Sequence, residues 1–382
     1  MPLTAGSIEH GVVASRPDQM YGWPGICRTK DGVIVVSASE RIHHVGPLGR
    51  VVVMRSTDDG KTWSLPQEVF NSETDDRDAS LRTHPDGTLI LTSFSSTDWV
   101  PYIKTGVYPG DCPVPERWLS QWQARIERMG LTEELPSVPW LIRSEDGGHV
   151  WGPHADAPTG QHAGPGILGD GRLIYVGTGP MREADISTEA KYDVKVFVWE
   201  SADKGDTWEK ISEIQRSDEM PREMLIIENH LVETSPGHLV VMFRSEACEQ
   251  DEMFHYQSHS YDSGRTWTAP QMVPVWGGPP YLTVLSSGAV LCTYGSRRDP
   301  LSVRAMLSYD EGETWDHENF ITLYELPVPH DFGYPVTVEV SPGQLVTVYY
   351  VNKKYALRDD KFVYLTHVED SGGIMSIRWT LE

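Results

Sequence analysis

Ser56-Thr57-Asp58-Asp59-Gly60-Lys61-Thr62-Trp63 decides the fold, because the chain repeats it. The pattern returns at Ser144–Trp151, with Val150 in place of Thr, and again at Ser201–Trp208, Ser260–Trp267 and Ser308–Trp315. Copies of S-x-D-x-G-x-T-W at a spacing of roughly fifty residues point to a propeller or an array. Each copy reads as a hairpin turn. The Asp accepts backbone N–H bonds, the Gly supplies a positive φ, and Thr-Trp restarts a strand. The Trp then packs between neighbouring repeats.

Working outward, each octet is preceded by a second marker, a tight turn feeding an apolar strand. The turns are Asp31-Gly32, Asp86-Gly87, Asp170-Gly171, Pro236-Gly237, Ser286-Ser287-Gly288 and Pro342-Gly343. The pattern predicts six units of strand, turn, strand, long loop, strand, octet turn, strand. In the sixth, Glu369-Asp370-Ser371-Gly372 only echoes the octet, and Trp379 follows. Six four-stranded blades close a propeller without long exposed edges. The fold class is therefore all-β, a six-bladed β-propeller, with residues 1–382 as one domain.

The excess length between the first two octets falls at about residues 97–139. Within it, Trp118, Trp122, Ile126 and Met129 share one helical face behind Pro115. This predicts one short amphipathic helix inserted into blade two, either a packing brace or a wall over the site. In an up-and-down blade the first and third turns share one face. The second loops and the crossings between blades then lie on the other, which is expected to carry the chemistry.

A net charge of −23 argues against nucleic acid or an anionic membrane as partner. It also requires a local cationic pocket for any anionic substrate. The start of the chain lacks a basic, apolar leader, and no run of about 18 apolar residues occurs, so the expected location is cytoplasmic. Cys27, Cys112, Cys248 and Cys292 are irregularly spaced and read as free thiols. Neither CxxC nor HExxH occurs, so no metal or other cofactor is expected.

The octets resemble the Asp-box of the sialidase superfamily, along nearly the whole chain. That resemblance implies a sialidase-type propeller acting on carbohydrate. Sialidases carry an Arg-Ile-Pro signature at the start of blade one, whose Arg belongs to a three-arginine clamp on the substrate carboxylate. Here Trp23 precedes Pro24. Sialidases place an acid/base Asp on the second loop of blade one. Here the loop reads Glu40-Arg41-Ile42-His43-His44, and His43 or His44 takes that role, since histidine titrates near neutral pH. At the start of blade two, Asp75-Asp76-Arg77-Asp78 offers Arg77 for binding and Asp78 as a further acid. His162 leads into blade three as a weaker candidate.

In blade four, Glu228 matches the carboxylate that polarises the nucleophile and Arg244 a clamp arginine, with His230 beside them. Arg297 or Arg298 in blade five supplies the last clamp arginine. Tyr334, after Asp331 in blade six, matches the nucleophilic Tyr. The catalytic set is thus His43, His44, Asp78, Glu228 and Tyr334. The substrate-binding set is Trp23, Arg41, Arg77, His230, Arg244, Arg297, Arg298 and Asp331. The leading reading is an exo-acting hydrolase removing a terminal acidic sugar. The others are a lyase acting by β-elimination on a uronic-acid glycan and a non-catalytic glycan-binding propeller.

Overall fold

The computed structural model describes residues 4–105, 116–131, 135–160, 162–179, 195–218, 220–221, 224–247, 253–327, 330–358, 361–364 and 372–382. Its strands form six antiparallel sheets, and in the first five the strands follow sequence order from the inside outward. The inner strands are Met20–Arg28, Asp75–Thr83, Gly166–Ile167, Met224–Ser235, Gly278–Val284 and His330–Ser341. Each inner strand touches the inner strands of both neighbours, and the last touches the first, so the ring is closed. This is the expected six-bladed propeller. No helix among the described residues is long and apolar enough to cross a membrane.

The five octets fold alike. In the first, Ser56 Oγ donates to Asp58 Oδ1 at 2.7 Å and accepts the Gly60 N–H at 2.9 Å. Asp58 also accepts from Thr62 N at 2.9 Å and Thr62 Oγ1 at 2.6 Å. These bonds hold the Asp58 carboxyl down to about 2, with Thr62 as the leading cause. The glycine is required twice over. At Gly205 φ is +90°, and a Cβ there would lie 2.4 Å from Leu141 of the preceding blade. The tryptophans bridge blades as expected: Trp315 Nε1 donates to Gln257 Oε1 at 2.7 Å, and Trp267 Nε1 to Ser212 Oγ at 3.2 Å.

Blade six departs from the expected unit. Its main path is His330–Ser341, Gln344–Arg358, Gly372–Leu381 and, outermost, Ala5–Ala14, and a short fifth strand, Lys361–Tyr364, pairs with the end of Gln344–Arg358. The fourth strand thus comes from the other end of the sequence. Gly372 pairs with Asn352 and opens the third strand, whereas each true octet follows a third strand. The echo at residues 369–372 is therefore in the wrong place to be a sixth box; its first three residues lie outside the described residues.

The blade-two insertion holds two helices, Trp99–Thr105 and Glu116–Met129, rather than one. Trp122 is buried with Val45, Trp99, Val100 and Ile103, while Trp118 and Ile126 pack at the edge of this cluster. Arg125 donates to the carbonyls of Pro47 at 2.6 Å and Glu73 at 2.8 Å. The insertion thus braces the second loop of blade one. Cys27 and Cys292 are buried free thiols, and burial pushes Cys27 up to about 11; Cys112 and Cys248 lie outside the described residues.

Candidate active site

One local device recurs on the inner strands. The pairing register slips by a residue between Gly22 and Gly25, Arg77 and Ser80, Ile227 and His230, and Gly333 and Val336. The residue that follows the first of each pair is Trp23, Asp78, Glu228 or Tyr334, with φ of 50°, 55°, 47° and 54°. Every other non-glycine residue with positive φ among the described residues sits in an octet turn. Left-handed backbone on bulky residues is uncommon and clusters at functional sites. A bulge of this kind re-aims a side chain, and four blades use it to turn one side chain inward. Gly164, at φ 66° and two residues before the inner strand of blade three, completes the series there.

Two of the side chains so presented meet. Tyr334 Oη donates to Glu228 Oε1 at 2.5 Å, and Arg244 Nε lies 2.9 Å from Glu228 Oε2. Arg244 Nη2 also bonds Glu246 at 2.8 Å. The His162 ring meets Tyr334 edge-on, with centroids 4.4 Å apart. Arg244 and Arg297 line one recess with Met253, Trp276, Gly277, Gly278 and Pro279. Arg297 Nη2 is aimed by Tyr350 Oη at 3.1 Å, the Phe332 carbonyl at 2.9 Å and Asp331 Oδ1 at 3.4 Å. Tyr350 Oη donates to Asp331 Oδ1 at 2.8 Å, so Asp331 and Tyr350 position the arginine.

The electrostatics separate the titratable groups. Burial, then the Glu228 charge, pushes Tyr334 well above its ordinary value, so it is a neutral phenol. Burial lifts the Asp78 carboxyl to about 6; Glu228 adds to this, while Arg77 opposes it. Burial, followed by the charges of Arg77 and Arg41, holds His44 well below its usual value. His162 is lowered to about 3, again chiefly by burial.

The sequence profile of the BNR repeat-like domain matches residues 116–347, more than half of the chain. The chain belongs to the BNR repeat-like family. Among curated proteins none matches it significantly. This BNR repeat-like protein is similar to a Dyadobacter fermentans protein of unknown function (19% identity, 99% of each chain, TM-score 0.73). It is similar to the NanB sialidase of Streptococcus pneumoniae at 13% identity, covering 97% of this chain and 70% of that one, with a TM-score of 0.61. It also resembles the intramolecular trans-sialidase of Ruminococcus gnavus (12% identity, 97% and 96% covered, TM-score 0.58). At these identities the likeness is one of fold, and the fold is that of sialidase propellers.

The other residues singled out in the sequence of this BNR repeat-like protein divide into those at the site and those beside it. Trp23 is buried, with the guanidinium groups of Arg41 and Arg77 at 4.6 and 4.8 Å from its ring centroid and His44 edge-on at 5.2 Å. Arg77 bonds Asp98 at 2.6 Å. His44 keeps some exposure and lies 3.8 Å from Asp331. Four residues take positions that do not suit the roles expected of them. His43 is buried against Trp122, with Nδ1 3.0 Å from the Val45 carbonyl, so it anchors the loop instead of facing the recess. Arg41 is buried in an ion pair with Asp75 at 2.6 Å and also bonds the His44 carbonyl. His230 stacks on Tyr281 inside the channel, accepts the Leu282 N–H at 2.9 Å and lies against Arg82. Arg298 is exposed over Trp276, leaving Arg297 as the blade-five arginine of the recess.

The face argument agrees with these positions. Tyr334 and Glu228 sit in the first halves of strands that end at the Pro342-Gly343 and Pro236-Gly237 turns. The octets pack at those turn ends, Gly60 against Val346 and Gly312 against Val240. Tyr350 and the Arg82–Tyr281 pair were not singled out in the sequence. Tyr350 lies opposite Gly333 in the ladder, but in sequence it is one more aromatic in an apolar run.

Proposed function

We propose that this protein is an exo-acting glycoside hydrolase that removes a terminal acidic sugar, sialic or uronic, from a glycan. The reading rests on the 2.5 Å hydrogen bond from Tyr334 to Glu228, made by two left-handed residues of different blades beside two arginines. Arg244 and Arg297 grip the substrate carboxylate with planar guanidinium forks. A neutral phenol then approaches the anomeric carbon without repelling that carboxylate; sialidases are the known exception to the two-carboxylate rule of glycosidases for this reason.

Glu228 takes the Tyr334 proton as the Tyr334 oxygen bonds to the anomeric carbon. Asp78, lifted to about 6, donates its proton to the departing glycosidic oxygen. In the second step water attacks the anomeric carbon as the bond to the Tyr334 oxygen breaks, Asp78 accepts the proton of the water, and Glu228 returns the first proton to the tyrosine. Asp78 suits the acid role better than His44, whose depressed value leaves it neutral at physiological pH.

The test is hydrolysis of a panel of aryl and natural sialosides, uronides and neutral glycosides. An acidic glycoside should turn over, and Glu228→Gln should cost about 10²–10⁴-fold in kcat, with Tyr334→Phe at least as damaging. Full turnover by Tyr334→Phe overturns the mechanism. A product with new ultraviolet absorbance from a double bond shows elimination, and sugar binding without turnover shows a binding propeller; either overturns the hydrolase reading.

A further inference from the structure

The opposite face of the propeller gathers three metal-ligating side chains that lie far apart in the sequence. His238 opens the second strand of blade four, and His259 stands near the end of the third, paired with Val240. Glu313 lies in the fifth octet, carried by blade five and packed onto blade four through Gly312 and Val240. His238 Nε2 and His259 Nδ1 are 3.1 Å apart. Glu313 Oε1 is 3.9 Å from His259 Nδ1 and 4.0 Å from His238 Nε2. A point in the plane of these three atoms lies about 2.2 Å from each, close to the bond lengths of zinc to imidazole nitrogen and carboxylate oxygen. Both histidines are buried, while Glu313 is half exposed, so the site opens to solvent on one side.

The surroundings prepare these atoms as ligands. His238 Nδ1 is 2.8 Å from Glu311 Oε2. A carboxylate only accepts, so Nδ1 carries the ring proton and Nε2 presents a lone pair toward the cluster. A carboxylate behind a ligating histidine is the usual outer partner of a metal-bound imidazole. Tyr261 Oη donates to Glu313 Oε1 at 2.6 Å, and its ring stacks on His238 at 4.6 Å. Both contacts fix ligand orientation before an ion arrives.

We propose that His238, His259 and Glu313 form a zinc site, with water in the fourth position, that ties blade four to the fifth octet turn. Two imidazoles and a carboxylate suit this borderline-soft ion. The short metal spacings looked for in the sequence do not apply, because strand pairing and octet packing assemble the set. The competing occupant of the space is a proton, shared between His238 and His259 as an N–H···N bond.

The experiment strips the purified protein with a chelator and titrates Zn²⁺ against a chromophoric competitor, with Co²⁺ as a spectroscopic substitute. One equivalent of Zn²⁺ should bind and raise the melting temperature. Co²⁺ should give the intense visible bands of a tetrahedral site. Glu311→Gln should weaken zinc binding by about 10–100-fold, the effect of losing an outer carboxylate. His238→Ala/His259→Ala should abolish stoichiometric binding. Glu313→Gln, an exposed change that keeps an acceptor for Tyr261, should weaken binding with the fold intact. Zinc uptake by the wild type no greater than by the double variant, or unchanged uptake by Glu313→Gln if the double variant does not fold, overturns the proposal.

Discussion

Asp78→Asn should make the protein more stable at neutral pH while disabling it. The Asp78 carboxyl is lifted from an ordinary 3.8 to about 6, with burial as the leading cause, and its Oδ1 has no hydrogen-bond partner among the described residues. Ionising it in the fold therefore costs at most about 3 kcal/mol at neutral pH, and the partial solvent access of the side chain makes this an upper bound. The sign follows from proton uptake. Between 3.8 and about 6 the native state binds the proton that the unfolded chain has released, so stability falls as pH rises through that window. The Asn variant has no such proton. It also tolerates the backbone, since Asn accepts a φ of 55° better than most residues. Urea unfolding of both proteins from pH 4 to 7.5 is the assay. The variant should match or fall below the wild type near pH 4 and exceed it by up to about 3 kcal/mol at pH 7.5. A stability difference that does not change across this range would refute the assignment of a raised carboxyl. Turnover should fall by about 10²–10⁴-fold with a poor leaving group and far less with an activated aryl one.

Other perturbations separate scaffold from chemistry. Asp310→Ala removes an acceptor of Thr314 N at 2.9 Å and Ser308 Oγ at 2.8 Å; in this exposed turn it should cost about 1 kcal/mol in urea unfolding and leave kcat unchanged. Trp122→Ala empties the centre of the insertion cluster and should cost about 3–5 kcal/mol locally. Hydrogen exchange should then rise in residues 42–48, which rest on that helix, before the blades open. Arg297→Lys keeps the charge but loses the fork that Tyr350, Asp331 and Phe332 aim; KM for the acidic sugar should rise while binding of a neutral analogue stays the same.

What could be read from the sequence follows the range of the interactions involved. An octet such as Ser56–Trp63 folds through bonds spanning two to four residues, so its letters carry the whole turn, and six spaced turns carry the ring. Glu228, Arg244 and Tyr334 were visible only through the family likeness. The bulges that bring them together depend on register between strands, which no local pattern encodes. His43 and His44 illustrate the limit. As neighbours on one loop they looked interchangeable, and only the packing of Trp122 from the insertion separates the buried one from the accessible one. Asp78 is one of three carboxylates in the run Asp75-Asp76-Arg77-Asp78, and its burial is a property of the ring. The His238–His259–Glu313 cluster was equally out of reach, since its members meet across two strands and a neighbouring blade.

The outer strand of blade six has a consequence for how the protein is made. Ala5–Ala14 leaves the ribosome long before its partner, Gly372–Leu381, and the Ser7 to Thr380 contact joins residues 373 apart in sequence. At about 5–20 residues per second, the early strand waits roughly 20–75 s for that partner to be translated. Blades one to five complete themselves from contiguous chain during this interval. Locking the ring therefore waits for Gly372–Leu381, and until that strand emerges Ala5–Ala14 is an unpaired edge that a holdase chaperone can protect or a second nascent chain can capture.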